Sequence, residues 1–480
     1  MLRYISNSVR VGLLGAVVLS VAEVAVAAGP AKYWDIEPYH IHAVLAIDAP
    51  GGLAKELAAE LPAYLQRRAA TSIGALWRLR VELAADTARH RLLDRMEAAE
   101  VRDLLAATAD EDKQVWLSVR ATPWGYELAG REYDRHVRRW SATLRSRTRQ
   151  RDAVAEQLFA LLRRVVAPLA QFQVDRENDE LMLLAMRGAA LPRRSEGFQW
   201  VDPDEVFLPI LRRTTREGDV VENGIQAVPW TYIELVRGDD APPAAGQLAG
   251  RLQSGTRWPL GVRRRGRIEQ VAIALRADPR KTVVRMRSRS DPDKPLVGYE
   301  VFVQNTNDDQ TRSIGLSDEQ GEVRVEPGPT PIQLLYVRSG GELLARVPVL
   351  PGVDELLEVP LVDDELRLRA AARMAAMRED LVDLVARRNI YMARVRQQIV
   401  DKDFSRAGEL LESLDELPGR AQFNQLLQRE ARLYRAKDQQ VQRKIEQLFA
   451  ATQTVLSQFL DPRQISELHD QLRAARQEGS

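Results

Sequence analysis

The chain has 480 residues, 45% of them hydrophobic and 29% charged, and a net charge of +1. So small a net charge gives no global field to draw the protein onto nucleic acid or an anionic membrane, and the hydrophobic share is that of ordinary globular domains. Cysteine is absent, which excludes disulfides, thiolate metal sites, cysteine nucleophiles and a lipid-modified N-terminal Cys.

Residues 1–28 have the layout of a secretory signal peptide. Arg3 and Arg10 precede an apolar run over 11–22, and Ala25-Val26-Ala27 offers small residues where a peptidase would cut. The run is about a dozen residues, short of the ~20 a spanning helix needs, and Glu23 interrupts its far end. Cleavage near Ala28 or Gly29 is therefore expected, giving a periplasmic or secreted protein. An uncleaved N-terminal helix acting as an anchor is the alternative. The roughly 450 residues that follow exceed a single core, so several domains are expected.

The first domain, at 33–192, reads as a layered α/β unit. A strand over 39–47 leads through Gly51-Gly52 into a helix marked by Leu53, Leu57, Leu61 and Leu65. A strand over 76–84, a helix over 87–108 and a strand over 113–121 follow. Pro123-Trp124-Gly125 turns the chain into 126–134, and a helix over 154–166 precedes short strands at 172–174 and 181–185. This β-α-β-α-β start is what an α/β layer produces. Its opening strand and helix resemble, over about 80 residues and without a diagnostic motif, the α/β domains of envelope proteins related to the N-terminal region of TolB.

A β-rich domain is read at 198–290, where short strands separated by Gly, Pro or Asp suggest a small barrel or sandwich. Gly238 to Gly246 has linker composition. Some seven strands then crowd into 295–362. Gly315-Leu316-Ser317-Asp318 through Gly321-Glu322-Val323 resembles the turn of the carboxypeptidase regulatory-like, transthyretin-like β-sandwiches, where Gly supplies positive φ and Asp bonds the turn backbone. The resemblance implies a non-catalytic interaction or spacer module.

Residues 363–480 read as helical. A long helix over 366–400 is followed by one at 404–414 with Asp403 as its cap. That helix resembles one arm of a tetratricopeptide-type hairpin, but one arm is no repeat array, so a hairpin or bundle is expected. After Pro418-Gly419, the residues Val441, Ile445, Leu448, Thr452, Val455 and Phe459 alternate in steps of four and three. This is a coiled-coil seam through which copies could associate. The expected fold is thus a multidomain α+β protein: a layered α/β domain, a barrel or sandwich, a transthyretin-like sandwich, and a helical or coiled-coil tail.

Candidate chemistry is sparse. His40 and His42, at i and i+2, share one strand face and with Asp48 or Asp35 could hold Zn²⁺ for a metal-dependent hydrolase; the competing reading is a polar strand end. Neither HExxH nor GxSxG occurs. Asn305, Asn307 and Asp309 alternate like calcium ligands, yet the twelfth position is Leu316, so a solvated hairpin tip fits better. Asp202/Asp204 and Asp363/Asp364 read as loop and helix-cap residues.

The basic pattern is stronger. Arg145, Arg147, Arg149 and Arg151 alternate with Leu144, Ser146, Thr148 and Gln150, and Arg263-Arg264-Arg265, Arg285, Arg287 and Arg289 form a second set. On a strand this spacing puts each guanidinium on one face, suited to phosphate or carboxylate oxygens of an anionic lipid or glycan. The alternative is an edge strand protected by charge and paired to acids within the chain. The eight Trp stack on sugars if exposed and fill cores if buried.

These residues lead to the expectation of a non-catalytic exported scaffold or binding protein of the bacterial envelope. It needs no cofactor, does not bind nucleic acid, and engages an envelope protein or an anionic glycan or lipid. An envelope assembly factor is a further alternative.

Overall fold

The computed structural model describes residues 34–478 apart from 105–110, 176–180, 193–199, 217–218, 237–246, 258, 261–266 and 279. The fold is mixed α+β, with a layered sheet, a closed barrel, two facing four-stranded sheets and a C-terminal helical region. The leader, the Gly238–Gly246 linker, Trp258 and Arg263–Arg265 lie outside the described residues.

The layered sheet begins with β1 (Tyr39–Asp48), flanked in parallel by β2 (Trp77–Leu83) and β3 (Lys113–Thr122). An antiparallel hairpin joins β3 to β4 (Gly125–Asp134), which carries β5 (Arg139–Trp140) and β6 (Leu144–Thr148) on its far edge. Helices cover both faces, as parallel strands require. On one side α1 (Gly51–Ser72) and α3 (Val154–Val165) bury Leu57, Leu61, Leu65, Leu158 and Leu162 against Ile41, Ala43 and Leu45. On the other, α2 (Asp86–Asp94) packs Ala88 and Leu92 on Val44, Ala46 and Trp116. The helix expected over 87–108 stops at Asp94. Arg120 pairs with Asp94 at 2.6 Å, and the chain continues through 3₁₀ turns at Met96–Ala98 and Val101–Asp103.

The barrel closes in the order β9 (Val206–Thr214), β11 (Thr231–Leu235), β12 (Gln247–Ser254), β8 (Leu181–Met186), β7 (Leu169–Val174), β13 (Arg267–Leu275) and back to β9, with β10 (Val220–Ala227) paired to part of β9. Closure removes sheet edges. It draws β7 and β8 out of the stretch read as α/β domain, because Val271 and Ile273 need Gln171 and Leu169 opposite them to complete the ring. The strand over 282–288, read as part of the β-rich domain, joins the next module instead.

That module pairs β14 (Thr282–Ser288) with β15 (Asp291–Pro295), β18 (Glu322–Val325) and β21 (Leu356–Leu361). The facing sheet has the order β17 (Thr311–Leu316), β16 (Glu300–Asn305), β19 (Gln333–Ser339), β20 (Glu342–Val349). Val284, Met286, Val301, Val303, Leu335 and Val337 fill the space between the sheets. The alternation of β19 divides its side chains: Leu335 and Val337 point into this core, while Leu334 joins the barrel cluster with Ile332 and Leu350. One apolar cluster therefore runs from the layered sheet through the barrel to the outer face of the sandwich.

The helical region hangs on α4 (Glu365–Val400), whose Met374, Met377, Leu381 and Leu384 pack with α6 (Arg420–Leu433) and α7 (Gln439–Phe459). Its Met392 and Val395 pack with α5 (Phe404–Asp415) and α8 (Arg463–Glu478). Asp403 caps α5 by accepting from the Arg406 backbone N–H at 3.0 Å.

Candidate functional site

The polar groups that converge in this chain lie at the joints between modules. At the joint of sheet and barrel, Lys113 heads β3 and Asp134 ends β4 directly opposite it. The fully buried Lys113 ammonium donates to the Glu132 carboxylate and to Asp134 Oδ2 at 2.5 Å. The other Glu132 oxygen accepts from the Ala167 N–H at 2.7 Å, tying the triad to the segment that enters β7. Burial pulls the Lys113 pKa down, but Asp134 and Glu132 raise it further, and it stays charged. Burial pushes Glu132 up to about 7. For Asp134 burial acts the same way, but Lys113 outweighs it and holds the carboxyl below its usual range.

Beside the triad, Tyr39 on β1 accepts from the Leu169 N–H at 2.9 Å, and its burial pushes its hydroxyl up to about 12. Arg187, just beyond β8, lies 4.9 Å over the Tyr39 ring and donates to Glu37, the Pro38 carbonyl and Asp112 at 2.9–3.0 Å. A charge taken out of water must be paired or hydrogen-bonded, and the groups that satisfy these are contributed from both sides of the boundary.

The second joint links sandwich to helices. Asp364 precedes α4 without capping it, because its carboxylate is held by Arg367 at 2.6–3.0 Å. The same guanidinium donates to the Ser339 carbonyl at 2.9 Å, and the Tyr299 hydroxyl accepts from the Asp364 N–H at 2.9 Å. Lys294 bridges Asp363 and Glu365, and Lys444 of α7 reaches Glu342 of β20 at 2.9 Å.

Between sheet, barrel and sandwich lies a cleft of about 230 Å³. Trp140, Thr143 and Glu132 border it from the sheet, Arg276 from the end of the barrel, and Arg280 and Asp354 from the sandwich side. Arg280 pairs with Glu97 at 3.4 Å and Arg139 with Asp354 at 3.8 Å, so the modules meet across it through opposite charges. Gly352 lets the walls close: at φ 89° it donates to Thr282 Oγ1, and an added Cβ would lie 1.8 Å from the Asp278 carbonyl oxygen.

The residues singled out by the sequence do not gather at one place. His42 is enclosed by carboxylates, Glu82 at 3.1 Å and Glu111 at 3.5 Å, while the backbone N–H of His40 donates to Asp112. Among the described residues no group of three or more His, Asp or Glu is placed to hold a metal ion. Arg145 pairs with Glu97 at 2.5 Å, Arg147 with Glu127 at 3.0 Å and Arg151 with Glu60 at 2.7 Å; Arg149 is exposed. In the second set Arg285 pairs with Glu322 at 2.5 Å, Arg287 donates to the Asp293 carbonyl, and Arg289 is exposed. The first set lines the β6 edge, whereas Arg285 and Arg287 occupy the interior strand β14.

The expected association seam is turned inward. Val441, Ile445 and Thr452 are buried, with Leu448 and Val455 half-buried, against α4 of the same chain; only Phe459 is exposed. The seam is spent within the monomer because α4 is long enough to receive α7 on its own surface. Trp34, Trp77, Trp116 and Trp200 are core residues, while Trp124 stands 85% exposed at the β3–β4 turn.

No family model matches this chain, and no curated protein does. Among solved structures it is similar to TolB from Acinetobacter baumannii, at 10% identity and a TM-score of 0.18 over 67% of this chain and 96% of that one. It is also similar to the Bacillus anthracis TIE protein, at 10% identity and a TM-score of 0.15 over 45% of this chain and 46% of that one. A third is BcpA, the major pilin subunit of Bacillus cereus, at 10% identity and a TM-score of 0.14 over 53% and 71%. Likenesses this slight carry no argument about function. No helix among the described residues is long and apolar enough to cross a membrane.

Proposed function

We propose that the protein is an exported, non-catalytic scaffold of the bacterial envelope, which holds its C-terminal helices at a fixed position relative to the sheet–barrel body. The observation that carries this reading is where the buried charge is placed. Lys113 with Glu132 and Asp134, Arg187 with Asp112, and Arg367 with Asp364 all sit at module boundaries. Such pairs contribute little net stability but fix geometry, since any displacement leaves a charge buried and unpaired. The acid nearest neutrality at the cleft, Glu132, has both oxygens engaged, which suits a strut better than a proton-transfer group. Arg147, Arg151 and Arg285 are each paired with a carboxylate and Arg145 shares Glu97 with Arg280, which favours their structural reading over anion capture.

The test exploits the absence of native cysteine. Spin labels at Trp124→Cys and Glu412→Cys should give one narrow distance distribution. That distribution should broaden when Arg367→Ala is combined with Lys444→Ala. A broad distribution in the otherwise unaltered protein would overturn the scaffold reading. Intact-mass analysis of protein recovered from envelope fractions should show loss of about the first 28 residues, as a cleaved leader requires.

A further inference from the structure

Helix α4 spans 36 residues, about 54 Å at 1.5 Å per residue. Its inward face, through Met374, Met377, Leu381, Leu384, Met392 and Val395, is covered by the other helices of the region. A surface helix normally carries polar residues on the opposite face. Here Val382, Ala386, Ile390, Ala393, Gln397 and Val400, preceded by Ala372, Ala375 and Glu379, fall within an arc of about 80° at ~100° per residue, on the side away from the core. Val382 is 66% exposed, Ile390 53% and Val400 75%, and Ala386 and Ala393 are exposed as well. No described residue covers this stripe.

Along one flank of the stripe run Asp380, Asp383, Arg387 and Arg394, all exposed and none in an ion pair among the described residues. The flank is acidic toward the N-terminal half and basic toward the C-terminal half. A parallel second copy, related by a twofold axis along the helix, would set this flank against the opposite one, bringing Asp380 within about 3 Å of level with Arg378 but Arg394 equally near Arg396. An antiparallel copy, related by a twofold axis near Ala386, sets Asp383 opposite Arg387 and Asp380 opposite Arg394, two attractive combinations against one repulsive one, Arg378 opposite Arg396, on the other flank. Each of these pairs is within about 3 Å of level, and each occurs twice because a twofold interface is isologous. The small side chains of Ala386 and Ala393 permit helix axes to approach to ~8–10 Å.

We propose that the protein forms an antiparallel homodimer through the outer face of α4, by a surface distinct from the α7 seam and independently of the scaffold reading.

Sedimentation equilibrium of the leader-free full chain should report twice the monomer mass. Asp380→Arg with Asp383→Arg makes the flank wholly basic, and Arg387→Asp with Arg394→Asp makes it wholly acidic. Each double variant should weaken self-association by at least about tenfold, with an unchanged circular dichroism spectrum because all four residues are exposed. Mixing the two variants should restore a dimer, since every cross-pair on the altered flank is then attractive. Orientation is read from single cysteines: Ala386→Cys should form an intermolecular disulfide on mild oxidation, while Val400→Cys should not. A monomeric unaltered protein, a dimer indifferent to both double variants, or efficient cross-linking at Val400→Cys would each overturn the proposal.

Discussion

Lys113 concentrates the electrostatics of the sheet–barrel joint in one side chain. With it removed, Glu132 and Asp134 would face each other unscreened and buried, so Lys113→Met should cost about 3–5 kcal/mol in urea unfolding. Adding Glu132→Gln and Asp134→Asn should recover much of that loss, which distinguishes a charge effect from a packing effect. Glu132 and Glu205 are both pushed by burial up to about 7, so between ~4.5 and 7 the folded chain binds more protons than the unfolded one. Hydrogen bonding to Glu111 leads the causes that raise His42 above its ordinary value, with Glu82 adding to it. Its stabilisation is therefore full below ~6.5 and lost as pH rises through the folded value. His136, lowered chiefly by burial, acts in the opposite sense as pH rises toward ~6.5, so the fall in unfolding free energy due to the other three groups should be clearest between pH ~6.5 and 8. His42→Gln should flatten the upper part of that slope, and an unaltered slope would remove His42 from the account. The triad was open to inference from sequence. A hairpin turning at Pro123-Trp124 puts Lys113 across from Asp134, and Glu132 shares Asp134's face. Arg187 was not, because its partners lie about 75 and 150 residues away.

Local pattern specified elements well where periodicity was strong. The strand at 39–47, the helix at 154–166 and the heptad face of 441–459 all form with nearly the expected bounds. What the heptad pattern could not specify was its partner, because an apolar seam reads identically whether covered by a second copy or by the same chain. Since Ile445 is buried against α4, Ile445→Asp should destabilise the helical region by several kcal/mol through an unpaired buried charge. Thermal circular dichroism would register this as early loss of helical signal. Dissociation into smaller, still folded species would instead assign the seam to an interface between copies. Pairing order in the β modules was similarly hidden. Strands such as β7 and β14 carry ordinary β patterns, and only three-dimensional closure decides that the first joins the barrel and the second the sandwich.

For the molecule as a whole, apolar burial follows different boundaries from strand pairing. Ile332, Leu334 and Leu350 belong by pairing to the sandwich yet by packing to the barrel cluster, which itself continues into the layered sheet. The helical region keeps two cores of its own. Such continuity gives a substitution in one module a counterpart in the next. Exchanging a single module for a foreign one would strand half of each shared contact, so the three β-bearing units can diverge only together, by matched changes on both sides of each seam, whereas the C-terminal helices, tied to the sandwich through Arg367, Asp364 and Lys444, can vary within their own two cores.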